Sequence, residues 1–199
     1  IVPPLATAAA AQAFDRSRRG YARFRRVPPR LATAESFDGS FNFCRIMYTS
    51  VRRHPSGQGW WTDYPDADVN FSIRLGEVTK TRISHDVEGN PNHLVVPLTD
   101  ETLFQCPWAI LEDAGSAGLT DEEIGALRTY LLKGGFLWVD DFWGAAAWAQ
   151  WTRELAKALP PSEYPIEDVP LTDPIFTTQF TVTKIPQITN IQFWRGVAG

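Results

Sequence analysis

Five aspartates could act together if the fold gathers them: Asp63, Asp66 and Asp68 in one stretch, and Asp140 and Asp141 at the end of an apolar run. Carboxylates grouped in this way can hold a cation through oxygen ligands or divide general acid and base roles. Aromatic rings flank both groups. Trp60, Trp61 and Tyr64 lie beside the first, and Phe142 and Trp143 follow the second, so the same rim could stack a sugar or another flat ligand. Each feature also has a plainer reading. The aspartates can cap helices starting at 66 and 145 and bond loop amides, and tryptophans near a sheet rim more often pack than bind. Position favours capping for Asp66 and leaves Asp140 and Asp141 as the catalytic candidates.

Other chemistries lack their signatures. His54, His85 and His93 show no metal-ligand spacing, and the two cysteines are not paired as zinc ligands. There is no Gly-rich phosphate loop, no dinucleotide fingerprint and no nucleophile elbow of the G-x-S-x-G kind. No metal and no cofactor is expected. Cys44 and Cys106 both lie in apolar, strand-like context, where buried free thiols are the default and a mutual disulfide is the alternative.

The elements that must position these residues read as alternating strands and helices. Phe41–Ser50 is a strand with apolar residues on both faces. Asp66–Lys80 spaces Val69, Ile73 and Leu75 at helical intervals, with Asp66 as N-cap. His93–Pro97 and Trp108–Leu111 are short strands, the second running into Glu112 and Asp113. Thr120 and Glu123 form a capping-box pattern that opens a helix over 121–133, closed by Gly134 and Gly135. Phe136–Val139 is wholly apolar, as befits a central strand covered on both faces. Ala145–Leu159 is a helix stopped by Pro160 and Pro161, and Ile175–Thr183 and Ile188–Phe193 are strand-like. This order predicts an α/β sandwich with a mostly parallel sheet over residues 41–199. In such sheets ligands bind beyond the carboxyl ends of the strands, where the Trp60–Asp68 loop, the Glu112–Asp113 loop and Asp140–Gly144 should meet.

Residues 1–38 form an extended Ala/Pro-rich and then Arg-rich tail. Arg16, Arg18, Arg19, Arg23, Arg25 and Arg26 fall in it, whereas everything from Leu31 onward carries 12 basic and 22 acidic residues. The basic stretch suits an acidic protein face or an anionic membrane surface. Nucleic acid is disfavoured, because the folded part offers no basic face. Ile1–Ala13 ends in a small-x-small pattern like that of an export site. A tail of this composition is ordered only when something ties it down, so a partner or membrane surface is expected to hold it.

Three stretches together resemble a known family. They are the run from Trp61 to Asn70 with Arg74 and Leu75, the run from Leu127 through Gly134-Gly135 to Asp140-Asp141-Phe142-Trp143-Gly144, and the run from Asp173 to Phe176 with Pro186–Ile188. This pattern is similar to the bacterial domain of unknown function 4159, a branch of the class I glutamine-amidotransferase-like superfamily, over about residues 41–195. The resemblance implies a flavodoxin-like three-layer sandwich and brings no reaction with it. It also implies where a nucleophilic Cys would stand, at the elbow after the strand that follows the Gly-Gly turn. Here that elbow reads Asp140–Gly144, without Cys or Ser, and Cys106 precedes a different strand. Acyl-enzyme chemistry needs an activated nucleophile beside a base, so amidotransfer is excluded. Against the family pattern this sequence stops early, at Gly199, and has Ala145–Ala147 after the elbow. Both departures fit a domain co-opted as a structural part.

The expectation is therefore a noncatalytic accessory or scaffold subunit of a larger assembly, held by other protein subunits through its tail. Its place would be peripheral, in the periplasm or cell envelope, against a membrane complex such as a respiratory or photosynthetic one. A carboxylate-based or metal-dependent hydrolase and a carbohydrate- or ligand-binding module are the alternatives.

Overall fold

Each of four apolar runs, five residues long, becomes a strand: β1 (Phe43–Met47), β2 (His93–Pro97), β3 (Trp108–Glu112) and β4 (Phe136–Asp140). In the computed structural model, which describes residues 27–51, 58–141 and 143–185, these strands form one sheet in the order β2-β1-β3-β4. All neighbouring pairs are parallel. This is the α/β architecture the sequence predicts, with the 2-1-3-4 strand order of flavodoxin-like sheets. Backbone contacts divide the chain into two compact units, Ile1–Ala158 and Leu159–Gly199.

In the first unit, β1 is buried at every position, as a strand flanked on both sides must be. Helix α1 (Asp66–Val78) joins β1 to β2, and α2 (Asp121–Leu132) joins β3 to β4 in the opposite direction. Right-handed crossovers running in opposite directions place their helices on opposite faces of the sheet. Helix α3 (Gly144–Ala158) packs against α2 and the 3-10 turn Ala114–Ser116. The capping box is present: the Thr120 hydroxyl accepts from the Glu123 amide at 3.2 Å, and the Glu123 carboxylate accepts from the Thr120 amide at 2.9 Å. Gly134, at φ 91°, then turns the chain out of α2, a conformation that favours glycine.

Several expectations need correction. Asp66 is not the N-cap of α1; Pro65 holds that position and Asp66 is the first helical residue. The buried stripe of α1 is Asp68 and Ser72, while Ile73 is 45% exposed. The sheet beneath carries the buried charge of Arg45, so this helix sets Asp68 against it, while Phe71 packs on Phe43 and Trp108. Strand β4 is not central but the outermost of the described strands. Phe136 and Trp138 are exposed, while Leu137 and Val139 pack on the core. Cys44 and Cys106 are not free thiols but a disulfide. Cys44 lies on β1 and Cys106 leads into the adjacent β3, which sets their Cα atoms 6.2 Å apart, within bridging range.

The start of the domain also moves. Leu31 pairs in parallel with Val95, and the Arg30 carbonyl accepts from the Val95 amide at 2.8 Å. Arg30 further reaches Asn92 at 2.6 Å and Asp86 at 3.3 Å. Residues 30–32, read as tail, thus border β2 in the first unit. The tail arginines at 16–26 lie outside the described residues.

In the second unit, the expected strand over 175–183 is replaced by a 3-10 helix, Pro174–Thr177, with Asp173 accepting from the Ile175 amide at 2.9 Å. Proline at the first helical position and an aspartate cap favour a helical turn over an extended start. The expected strand at 188–193 lies outside the described residues.

Candidate functional site

The connections from β1 and β3 leave in opposite directions, so the switch point of the sheet lies between their carboxyl ends. That is where open α/β sheets form a ligand crevice. Here, among the described residues, the segments that follow β1 and β3 bond to each other. The Val51 amide donates to the Ser116 carbonyl at 3.0 Å, the Gly118 amide donates to the Thr49 carbonyl at 2.9 Å, and Ser50 pairs antiparallel with Ala117. Below them the Tyr48 hydroxyl lies 2.6 Å from the Glu112 carbonyl oxygen and 2.8 Å from that of Asp113. The Glu123 carboxylate accepts from the Thr49 amide at 2.8 Å and so ties α2 to the end of β1.

The acidic rim surrounds this closed crevice. Asp63, Asp113 and Asp141 all adopt left-handed backbone, with φ of 55°, 49° and 52°. Aspartate tolerates that region better than most side chains, and three such residues at one rim mark tight turns there. Asp113 accepts from the Gly59 amide at 2.8 Å and donates its own amide to the Asp140 carbonyl at 3.1 Å, so it staples the loops after β1, β3 and β4. Asp140 is exposed and accepts from the Asp141 amide at 2.7 Å and from the Trp138 indole at 3.3 Å. Asp141 accepts from the Trp143 indole at 3.1 Å. Burial and the charge of Asp63 push its carboxyl up to about 6, with Asp113 and Asp140 adding to the effect.

The structure thus brings Asp63, Asp140 and Asp141 to one rim, and adds Glu112 and Asp113. Asp66 is exposed in the first turn of α1. Asp68 is fully buried under that helix. Among the described residues, no three His, Cys, Asp or Glu side chains are placed to hold a metal ion. Trp60 and Trp61 are buried, at 1% and 7% exposure, and stack on each other with centroids 4.2 Å apart. They are core residues and present no face to a sugar, which corrects their reading as binding residues. Tyr64 is half-buried, and its hydroxyl accepts from the Arg30 amide at 3.0 Å. Trp143 is partly buried, and Phe142 lies outside the described residues.

Sequence reasoning missed the group that organises this end of the sheet. Arg45, in the middle of β1, is fully buried. Its Nε and Nη2 bond the Asp68 carboxylate, its Nη1 donates to the Trp60 and Thr62 carbonyls at 3.0 and 2.9 Å, and Nη2 lies 3.5 Å from Glu112 Oε1. Burial raises the Asp68 carboxyl, and the bonds from Arg45 oppose that. A signal was available: an arginine inside FCRIM, a strand buried on both faces, requires a buried anion as partner.

With this geometry in view, residues 42–197 match the family described as a domain of unknown function, DUF4159. No curated protein matches the chain. Among the described residues no helix is long and apolar enough to cross a membrane.

Proposed function

The chain belongs to the DUF4159 family, and from that premise we propose that it is a noncatalytic accessory subunit that binds into a larger assembly of the cell envelope. The observation that carries this reading is the closed switch point. The Val51–Ser116 and Thr49–Gly118 backbone bonds tie the loops after β1 and β3 together at the place where this class of sheet would otherwise take a substrate. The elbow Asp140–Gly144 supports it, because a class I glutamine-amidotransferase-like domain would need a nucleophile there and the sequence supplies two carboxylates instead. The Cys44–Cys106 bond favours an oxidising compartment, in keeping with a periplasmic or envelope site. The Arg-rich stretch at 16–26 is the segment proposed to engage other subunits.

The test is co-purification from the native source of the full chain and of a chain lacking residues 1–26. The cut stops there because Arg30 and Leu31 are built into the edge beside β2. Loss of the partner subunits with the domain still folded is the expected result. Unchanged co-purification would overturn the role given to the tail.

One observation favours a second reading, a carboxylate-based hydrolase: the half-buried Asp141, with its carboxyl raised to about 6, is poised for proton transfer near neutrality. An ester and glycoside substrate panel compared between the wild type and Asp141→Asn decides it. Turnover that disappears in the variant would replace the accessory reading.

A further inference from the structure

Glu112 ends β3 on the face that also carries Arg45, and it is 6% exposed. Arg45 is already committed to Asp68 and to two carbonyls, so its tie to Glu112 is a single contact of 3.5 Å, at the outer limit of a bond. The other charged groups facing Glu112 are acidic: Asp68 on α1, and Asp140 and Asp141 at the end of β4. Glu112 and Asp140 are register partners on adjacent parallel strands, so their side chains share a face. One buried cation thus stands against several carboxylates.

We propose that Glu112 is a proton-controlled latch between β3 and β4, which as a neutral acid lets the two strand ends lie side by side and on ionising drives Asp140 and Asp141 away from the rim. The coupling runs through the backbone. The residues that follow, Asp113 and Asp141, both sit in the left-handed region, and the Asp113 amide holds the Asp140 carbonyl at 3.1 Å. Displacing Asp140 therefore strains the turn that sets Asp141. Burial, with Arg45 opposing and Asp141, Asp140 and Asp68 adding to it, pushes the Glu112 carboxyl up to about 8. The direction of the effect follows from linkage. The ordinary glutamate in an opened or unfolded chain loses its proton near 4.5, and the latched one near 8. Between those values the latched state holds the extra proton, so raising the pH favours opening.

Amide exchange read by mass spectrometry on peptides spanning 136–144 tests this, corrected for intrinsic exchange, at about pH 6 and about pH 9. In the wild type, protection of these peptides is expected to fall on the order of a hundredfold at the higher pH, while peptides from β1 keep theirs. Glu112→Gln, which keeps the shape and cannot ionise, should hold its protection at both values. Equal loss in wild type and variant, or no loss in either, overturns the latch. If Glu112→Gln does not fold, the carboxyl carbon resonance of Glu112 in the wild type decides: a midpoint above about 7 supports the latch, and one below overturns it.

Discussion

Arg45 on β1 and Asp68 in the first turn of α1 are both fully buried, and the guanidinium meets the carboxylate through Nε and Nη2 together. That pair explains why the fully buried residues of α1 are Asp68 and Ser72, with Phe71 beside them stacked on Trp108 of β3. It also places the Trp60 and Thr62 carbonyls, because Arg45 Nη1 holds both, at 3.0 and 2.9 Å. One buried cation therefore fixes a helix, a strand and the loop between them.

Removing one member of this pair leaves the other buried and uncompensated. Arg45→Met and Asp68→Leu are each expected to cost about 3–5 kcal/mol, whereas the double replacement should recover most of that loss. Denaturant unfolding of the three variants measures the coupling. Additive single and double effects would show that the pair does not act as a unit.

Asp141 makes a pH prediction of its own in a lower pH interval than Glu112. Its folded carboxyl is raised from 3.8 to about 6, so the unfolded chain gives up this proton first. The contribution of this group is then most favourable at low pH and declines as the pH rises through that interval. Asp141→Asn should flatten that part of the stability curve and gain on the wild type above about pH 6, as seen in melting temperature across a pH series. A larger pH dependence in the variant would contradict the assignment.

Much of the fold was legible because its signals are local. The apolar runs at β1 to β4, the capping box of Thr120 and Glu123 and the stop at Gly134 each follow from nearest neighbours along the chain. The site was less legible because its key relations span long separations. Cys44 and Cys106 meet only when β1 and β3 pair, and Arg45 meets Asp68 only when α1 folds back. Trp60 and Trp61 looked like rim aromatics because sequence order placed them in a loop, yet that loop dives into the core. Phe136 and Trp138 misled in the other direction, since an apolar run says nothing about which edge of the sheet it occupies.

The disulfide predicts a compartment-dependent stability. It closes a loop of sequence separation 62, and its reduction should cost roughly 2–4 kcal/mol. Thiol alkylation of the unfolded, unreduced protein should label neither cysteine, and both after reduction. Labelling of both without reduction would remove the support for an oxidising compartment.

Gly118 tests the closed crevice itself. A Cβ there would stand 2.1 Å from Val51 Cγ1, closer than any real contact, although nothing in the backbone of Gly118 requires glycine. Gly118→Ala should therefore force the Thr49–Gly118 and Val51–Ser116 backbone bonds apart, at a cost of about 1–3 kcal/mol. Trimming the opposing side chain in the double variant Val51→Gly, Gly118→Ala removes the clash and should restore most of the stability. The single variant also opens the switch point, so it should exchange the amides of Val51 and Gly118 faster than the wild type does. If Gly118→Ala is as stable as the wild type and protects both amides equally well, these two backbone bonds do not hold the crevice shut.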